Sequence, residues 1–370
     1  MRFTPFPKIL VVFLNFVCLA VASVFGQAKP GAEVDMAKCW SYPMGANAGS
    51  RIAADDSRVS LGLGGGRVDV LSLDGKKIWR SELGGDISSN ILPLESGLFL
   101  VTSTVISEDG KRGGSMLRSL SKETGITNWT MRLPGIDAHF LGGFDGAVIV
   151  VSNIGIIQSI DAKSGAVRWK REIADGFVAE PMFTVDKVLV ATTAKQIFGV
   201  TLVSGEIDSM RKVTYPATSI AKTIRGELIV GDERGNVVFM PNGSDRTEWK
   251  FKSGGEISKV IGDGEHVLVA SYDNFVYLLS GHNGGVRWKK RLSGRVSQIA
   301  NVMDKYALIS AFEEHGAMLA DLSNGKVAGQ IAFGADETIV SPPVVANGLI
   351  FINTNEATYA YSLDGCAAKK

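Results

Sequence analysis

The sequence predicts an all-β protein, an eight-bladed β-propeller whose blades are four-stranded antiparallel sheets. Three observations carry this prediction: a phrase that recurs about every forty residues, short β-rich runs between turn signals, and matching fragments at the two ends of the chain. A repeat of that length built from consecutive hairpins is typical of propeller blades. The ring is predicted to close where the N-terminal strand joins the C-terminal blade.

The first element along the chain is a leader, residues 1–28. Arg2 and Lys8 precede an apolar run that covers residues 9–25, and small residues follow it. This layout is typical of a secretory signal peptide, and the run is short for a helix that must cross ~30 Å of hydrocarbon. We therefore expect a cleaved signal and a periplasmic or secreted protein. An uncleaved membrane anchor is the alternative.

Export sets the expected boundaries of the mature chain. The residues before Cys18 are Asn-Phe-Val, which do not match a lipobox, so a lipid anchor at that cysteine is not expected. After cleavage we expect no transmembrane segment. Residues 29–36 are interpreted as a short linker and residues 37–370 as a single propeller domain.

The composition argues against a nucleic-acid partner. The chain has 39 basic and 38 acidic residues, and loss of Arg2 and Lys8 with the leader leaves 37 basic residues and a net charge near −1. Phosphate binding needs a concentrated basic surface, which this balance does not supply. With 45% hydrophobic and 21% charged residues, the chain is typical of a globular protein with an ample core.

The recurring phrase is clearest in residues 160–170, Ile-Asp-Ala-Lys-Ser-Gly-Ala-Val-Arg-Trp-Lys. It combines a short strand, a tight turn, and a second strand with Trp169 four residues after the turn glycine. Alignment on that glycine gives intervals of 50, 40, 40, 38, 41, 41 and 40 residues, so one supersecondary unit is repeated. The aligned glycines are Gly75, Gly125, Gly165, Gly205, Gly243, Gly284, Gly325 and Gly365.

Each repeat holds about four predicted strands. In one copy, the β-rich runs 188–193 and 196–202 flank a two-residue turn, and the next copies repeat this arrangement. Asp-Gly, Asn-Gly and Ser-Gly pairs between such runs are the signature of consecutive hairpins. No amphipathic helix is predicted between the runs.

The two ends of the chain each hold part of a repeat. The turn at Gly365 is followed by too few residues for a last strand, whereas residues 37–42 supply a lone strand that carries Trp40. We expect this strand to complete the C-terminal blade, which gives seven internal blades and one composite blade. Closure of the ring would hide strand edges that can otherwise template aggregation.

Two cysteines, Cys39 and Cys366, remain once the leader is removed. The composite blade would place them near the same turn, and export to an oxidising compartment makes a disulfide feasible. On the chain-entropy model, a bond across so long a loop could add over ~4 kcal/mol to stability. The alternative is a pair of buried, unpaired thiols.

The repeated phrase resembles that of the pyrroloquinoline-quinone-like (PQQ-like) propellers: a strand, Asp-x-x-[Ser/Thr]-Gly, three residues and Trp. Copies at 73–79, 120–129 and 161–169 carry it, and the resemblance covers nearly all of residues 40–365. In that family the tryptophans dock between neighbouring blades, where an indole can bury a large area while its N–H finds an acceptor. The resemblance implies a structural role for Trp40, Trp79, Trp129, Trp169 and Trp288, with Gly75, Gly125, Gly165, Gly205, Gly284, Gly325 and Gly365.

Three copies depart from the phrase. Trp249 follows Gly243 by six residues instead of four, and it is not assigned a docking role here. Ser209 and Gly329 occupy the tryptophan position in the two degenerate copies.

An enzymatic role is not expected. Quinone-dependent alcohol dehydrogenases are similar in fold, but they are far longer and carry a vicinal cysteine pair, a catalytic Asp and calcium ligands. This chain has no adjacent cysteines, and its four histidines are widely scattered. We assign no catalytic, cofactor-binding or metal residues. The alternative is an oxidoreductase-related propeller that binds PQQ or another small molecule.

The chain is similar in length, period and closure to the scaffold-like members of this family, the BamB-type propellers of outer-membrane assembly. This resemblance implies a protein-binding scaffold in cell-envelope or outer-membrane assembly, with protein partners and no cofactor. We expect a monomer. BamB-type proteins are lipoproteins, and the missing lipobox departs from that pattern.

One interval between repeats is ten residues longer than most, and the excess lies in residues 107–114, between two strands of the first blade. Polar, glycine-rich insertions on a rigid scaffold are where binding functions concentrate. We therefore predict a partner-binding loop with Glu108, Asp109, Lys111 and Arg112. The alternative is a loop without a role.

Overall fold

The computed structural model describes residues 34, 36–45, 51–104, 113–136, 138–312 and 315–366. They belong to one compact unit that runs from Glu33 to Lys370. The predicted leader and most of the predicted linker lie outside these described residues, so both remain predictions. Over the described ranges, 33 strands form eight sheets, and the only helical element is a 3-10 turn at Gly64–Gly66.

The strands are numbered in chain order. The first seventeen are β1 (Ala37–Pro43), β2 (Arg51–Ala54), β3 (Arg58–Leu63), β4 (Arg67–Ser72), β5 (Lys77–Glu82), β6 (Asp86–Ile87), β7 (Leu92–Leu94), β8 (Gly97–Ser103), β9 (Ser115–Leu120), β10 (Thr127–Leu133), β11 (His139–Phe144), β12 (Ala147–Ser152), β13 (Ile156–Asp161), β14 (Val167–Glu172), β15 (Met182–Phe183), β16 (Lys187–Ala191) and β17 (Gln196–Thr201).

The remaining strands are β18 (Ile207–Lys212), β19 (Ala217–Lys222), β20 (Leu228–Asp232), β21 (Asn236–Met240), β22 (Trp249–Lys252), β23 (Ile257–Gly262), β24 (His266–Ser271), β25 (Phe275–Ser280), β26 (Val286–Arg291), β27 (Val296–Val302), β28 (Tyr306–Ala311), β29 (Gly316–Asp321), β30 (Val327–Ala332), β31 (Val344–Ala346), β32 (Leu349–Asn353) and β33 (Ala357–Ser362).

The prediction of an eight-bladed propeller with four-stranded antiparallel blades is confirmed. Blade 1 is β2–β5, blade 2 is β6–β10, blade 3 is β11–β14 and blade 4 is β15–β18. Blades 5, 6 and 7 are β19–β22, β23–β26 and β27–β30, and blade 8 combines β31–β33 with β1. In blade 2 the inner position is shared by two short strands, β6 and β7, which both pair with β8.

The predicted closure by the N-terminal strand is also confirmed. Strand β1 pairs antiparallel with β33, and this pairing places Trp40 opposite Ala360 and Tyr42 opposite Thr358. The first and last strands of the domain thus lie side by side in blade 8. The N-terminal strand β1 is therefore the outer strand of blade 8, the last blade.

The hydrophobic core lies in layers between neighbouring blades. Every residue of β8 and of β12 is buried, because the middle strands of a blade are covered on both faces. Between blades 3 and 4, for example, Ile149 and Val151 pack with Val190. The outer strands β14, β18 and β26 instead alternate exposed and half-buried residues, as expected at a sheet edge that faces solvent.

Alternate connections of an antiparallel blade lie on the same side of the ring. We call the side with the turns between first and second strands and between third and fourth strands the turn face. The opposite side holds the turns between second and third strands and the connections from blade to blade, and we call it the loop face. The eight aligned glycines lie in third turns and so on the turn face.

The ten-residue insertion falls in the chain between β8 and β9, whose facing ends lie on the loop face. These strands belong to blade 2, so its assignment to the first blade was wrong, because the first blade starts at Arg51, ahead of the Gly75 turn. Residues 105–112 lie outside the described residues. The partner-binding roles of Glu108, Asp109, Lys111 and Arg112 therefore stay predictions.

Candidate functional site

Six tryptophans on outer strands pack against the turn of the following blade. A Cβ added to Gly125 would lie 2.5 Å from the ring of Trp79, and one added to Gly205 would lie 2.5 Å from the ring of Trp169. Both glycines have positive φ, so only glycine gives this turn without strain and leaves room for the indole. Each indole Nε1 donates to a backbone oxygen in that turn: Trp40 to Leu73 (2.7 Å), Trp79 to Lys122 (2.7 Å), Trp129 to Ala162 (3.1 Å), Trp169 to Leu202 (3.0 Å), Trp249 to Gly281 (2.8 Å) and Trp288 to Leu322 (2.8 Å).

Trp249 is the member of this set that the sequence-based assignment left out. Its ring packs against Gly284 and its side chain is only 8% exposed. The spacing from the preceding glycine, Gly243, does not reveal this role, because the indole contacts the turn glycine of the next blade. The spacing to the following glycine does reveal it, since Trp249 lies 35 residues before Gly284 and Trp40 lies 35 residues before Gly75.

Two aligned glycines have no indole beside them. Within the described parts of the chain, a Cβ added to Gly243 or Gly365 would meet nothing within 4 Å. The preceding blades carry Ser209 and Gly329 at the position that tryptophan takes elsewhere. The sequence-based docking role of Gly365 therefore has no partner indole in the described residues.

The degenerate position in blade 7 is covered by the chain itself. The amide of Val34 donates to the carbonyl of Ala328 at 2.6 Å. A Cβ on Gly329 would lie 2.9 Å from the carbonyl oxygen of Val34 and 3.3 Å from the Met36 side chain. Gly329 thus makes room for the segment that precedes β1, which lies along the uncharged edge of β30.

Two further features hold the closing region together. Cys39 and Cys366 form a disulfide with their Cα atoms 5.1 Å apart, across a sequence separation of 327 residues. Arg67 donates from Nη2 to the carbonyl of Met44 at 2.7 Å, which ties blade 1 to the end of β1. The closing strand is therefore held by the disulfide, by pairing with β33 and by contacts to blade 1.

A buried carboxylate lies between β1 and blade 1. Asp69 has a fully buried side chain and accepts from Arg80 Nε at 2.7 Å and Nη2 at 3.0 Å. Tyr42 of β1 donates its hydroxyl to the same carboxylate at 3.0 Å. Burial, followed by this contact with Asp69, raises the pKa of the Tyr42 phenol. The bidentate arginine compensates the buried charge and makes this a specific link between the closing strand and blade 1.

The loop face has a hollow next to the start of β9. This depression of about 460 Å³ is lined by residues that include Gly114, Arg132, Ile136 and Ile154. Ile154 is 41% exposed, so the hollow offers apolar surface next to a cation. Concave surfaces of this kind accept side chains of a partner.

Blades 5–7 add two arginine–tyrosine pairs to the loop face. The guanidinium of Arg234 lies 5.9 Å from the centre of the Tyr215 ring, and that of Arg295 lies 5.6 Å from the Tyr272 ring. Phe312 follows in the next blade with 55% of its surface exposed. Arginine, tyrosine and phenylalanine are the residues enriched in the energetically important centres of protein interfaces.

The ring axis carries one ion pair that spans a blade. Lys259 on the inner strand of blade 6 lies 2.7 Å from Glu180, which precedes the inner strand of blade 4. Only the axial side of the ring permits contact past blade 5. The described ranges contain no group of three or more His, Cys, Asp or Glu residues arranged to hold a metal ion. In the same ranges, no helix is long and apolar enough to cross a membrane.

Comparison with protein families identifies the repeat. The family model described as outer membrane protein assembly factor BamB matches residues 112–238 and 212–365, which together cover well over half of the chain. No curated protein sequence matches the chain.

Comparison with solved structures agrees on the fold. BamB from Moraxella catarrhalis superposes with a TM-score of 0.68 at 16% identity, over 89% of this chain and 98% of that one. The computationally designed protein Ika8 gives 0.71 at 11% identity, with 88% and 99% covered. The C-terminal WD40 domain of Sif2 gives 0.68 at 13% identity, with 91% and 100% covered. At these identities the likeness shows the propeller fold alone.

Proposed function

The chain belongs to the family described as outer membrane protein assembly factor BamB, and on that premise we propose that it is a non-enzymatic, protein-binding scaffold of outer-membrane or cell-envelope assembly. The family match is the observation that carries the proposal. The predicted signal peptide supports a periplasmic location, where such an assembly takes place. A monomer with a rigid ring suits this role, since its faces present loops from many blades at once.

The loop face is the proposed binding surface. It holds the ends of β8 and β9, which the predicted partner-binding loop connects, the hollow with Arg132 and Ile154, and the exposed Arg295 and Phe312. Tryptophan, tyrosine and arginine side chains are enriched among the few residues that carry most of the binding energy of protein interfaces. These residues are far apart in sequence, and the ring brings them to one side of the molecule.

The proposal is tested by affinity purification of the tagged full-length protein from its own cell envelope, followed by mass spectrometry and a visible absorption spectrum of the same eluate. We expect a component of the barrel-assembly machinery and a colourless eluate. Recovery of a bound quinone without a stable protein partner would overturn the proposal and favour the oxidoreductase-related alternative.

A paired variant tests the binding face. Arg295→Glu combined with Phe312→Ser is expected to reduce recovery of the partner by tenfold or more, as loss of two central interface residues commonly does. Met303→Ser is the matched control, because Met303 is 44% exposed and lies on the turn face. Equal recovery with both variants would place the interface elsewhere.

A further inference from the structure

The most exposed aliphatic side chains are concentrated on the turn face of blades 4 and 5. Ile224 is 92% exposed, Val185 is 90% exposed and Val203 is 75% exposed, which makes them three of the four most exposed large hydrophobic residues among those described. They occupy the β19–β20, β15–β16 and β17–β18 turns. The amide of Leu202 donates to the carbonyl of Asp186 at 2.8 Å, so the two blade 4 turns touch.

This concentration is not a property of the fold. In the first turn, where blade 4 has Val185 and blade 5 has Ile224, five other blades carry polar residues: Asp56, Glu95, Asp145, Glu265 and Asn347. In the third turn, blade 3 has Lys163 where blade 4 has Val203. Fully exposed aliphatic residues contribute nothing to the core and raise the risk of aggregation, so such a cluster indicates an interaction surface.

An unfilled indole position lies at the same junction. Ser209 stands where other outer strands carry tryptophan, and no described atom lies within 4 Å of a Cβ added to the turn glycine of blade 5, Gly243. The six indoles elsewhere in the ring show what this position accepts: a flat aromatic ring on the glycine and an N–H donor to the turn. At the other degenerate position an added segment of chain, Val34 with Met36, covers Gly329, although the turn glycine beyond it, Gly365, likewise has no described atom within 4 Å of an added Cβ.

We propose that the blade 4–5 patch, defined as Val185, Val203, Ser209, Ile224 and Gly243, binds an apolar segment of a partner protein. An aromatic side chain of that segment takes the vacant indole position between the two blades. Aliphatic side chains beside it cover the valines and the isoleucine. The inference rests on the proposed scaffold function and adds a second binding surface, on the face opposite to the loop face.

The charges around the patch favour a protein over a lipid surface. Lys187 forms an ion pair with Asp208, and Arg211 lies 3.3 Å from Asp245, so two of the basic side chains next to the patch have acidic partners. Arg225 and Arg246 have no ion pair among the described residues, but two cations fall short of the cluster of about four or more that binds an anionic membrane. An anionic membrane attracts surfaces with unpaired basic residues. A neutral, aliphatic patch with a slot for an aromatic ring instead matches the centre of a protein interface.

The vacant indole position is tested first with a small aromatic probe. N-acetyltryptophanamide is titrated into isotope-labelled protein while the amide resonances of Gly243 and Gly205 are followed by NMR. We expect a saturable shift of Gly243 and no shift of Gly205, whose turn is covered by Trp169. Ser209→Trp fills the slot from within and should abolish the Gly243 shift. An unresponsive Gly243, or equal shifts at both glycines, would overturn the slot assignment.

The partner is tested in the native cell envelope with a photo-cross-linking amino acid, p-benzoylphenylalanine, at position 224 of the full-length protein. We expect a cross-link to a different protein that Ser209→Trp reduces by tenfold or more. The same probe at position 303, on the turn face of blade 7, serves as the control and should give no such product. Cross-links only to a second copy of this chain, only to lipid, or to nothing would each overturn the inference.

Failure of this inference can be told apart from failure of the proposed function. Ile224→Asp changes an exposed side chain and is expected to leave folding intact. If position 224 gives no cross-link while barrel-assembly components still co-purify with the protein, the patch is not a docking site and the scaffold role stands. If no protein co-purifies and a quinone is found, the scaffold role itself fails.

Discussion

The closing blade and the blade 4–5 junction are held together in different ways. At the closure, Trp40 packs on Gly75, a disulfide joins Cys39 to Cys366, and the buried Asp69 links Tyr42 to blade 1. At the other junction, Ser209 replaces the indole, and the ion pair of Arg211 includes an aspartate that is 66% exposed. One region has several specific links, and the other has lost the link that most junctions share.

Chain connectivity explains why the ring tolerates this difference. Blades 4 and 5 are joined by the short connection between β18 and β19, so holding the two blades together costs little conformational entropy. Strands β1 and β33 come from the two ends of the domain, and their pairing must offset the entropy of closing the whole chain. The disulfide and the buried carboxylate accordingly lie where the sequence separation is largest.

The disulfide is expected to make the largest contribution to this difference. Replacing Cys39 and Cys366 together by Ser should lower the free energy of unfolding by about 5 kcal/mol, because it frees ends that are 327 residues apart. Urea unfolding followed by circular dichroism measures the change. A reducing agent should destabilise the native protein and leave the double variant unchanged. Equal unfolding midpoints of native and variant proteins would show that the bond does not hold the ring.

The buried carboxylate is expected to come next. Asp69→Asn should cost about 3 kcal/mol, because Asp69 is the counterion of Arg67, whose side chain lies 3.5 Å away and is only 19% exposed, as well as of the more exposed Arg80. Asp245→Asn removes the corresponding acid from the exposed pair at the blade 4–5 junction and should cost less than about 1 kcal/mol. Urea unfolding of both variants gives the comparison directly. Similar losses would mean that the two regions are held equally firmly.

Substitutions at the indole positions of two neighbouring junctions test how much an indole stabilises the ring. Trp169→Ser should destabilise the protein by about 3 kcal/mol, since it empties the position against Gly205. Ser209→Trp should stabilise it by about 1 kcal/mol, by adding the missing aromatic contact at the next junction. Thermal unfolding midpoints of the two variants should therefore move in opposite directions. A lower midpoint for Ser209→Trp would show that the slot is too narrow for an indole.

The last expected effect is the alkaline response of the closing blade. Burial, followed by the charge of Glu337, raises the pKa of Tyr361 to about 12. An unfolded tyrosine titrates near 10, so the unfolded state loses its proton first and stability falls as pH rises from about 10 to about 12. Tyr361→Phe removes this contribution and should make the fall shallower in urea unfolding at each pH. Parallel pH profiles would contradict the assignment.

The indoles show how far the repeat carries a prediction. Four of the six tryptophans could be assigned from the sequence because each follows a turn glycine by four residues, and Trp40 because its strand completes the last blade. Trp249 was missed because a longer turn places it six residues after Gly243. The role of Gly329 could not be read at all. Its lack of a side chain has meaning only because Val34, almost three hundred residues earlier, passes over it.

The buried cluster and the exposed patch depend on the tertiary structure in different ways. Tyr42, Asp69 and Arg80 belong to three different strands, and their separations follow no local period, so the sequence does not predict their contact. Val185 and Ile224 lie one repeat apart, so the period places them in equivalent turns of consecutive blades. Only the tertiary structure shows that both side chains are almost fully exposed.

By itself, the sequence determined the architecture of this protein. A period near forty residues, hairpin signals and complementary chain ends specify blades, their number and the closing strand, because these depend on local turn chemistry and on hydrophobic alternation. The tertiary structure alone decided which blade junctions are held by specific contacts and which apolar surfaces are exposed to solvent. Those properties arise from contacts between neighbouring blades, whose side chains meet only when the ring closes and sequence distance no longer measures distance in space.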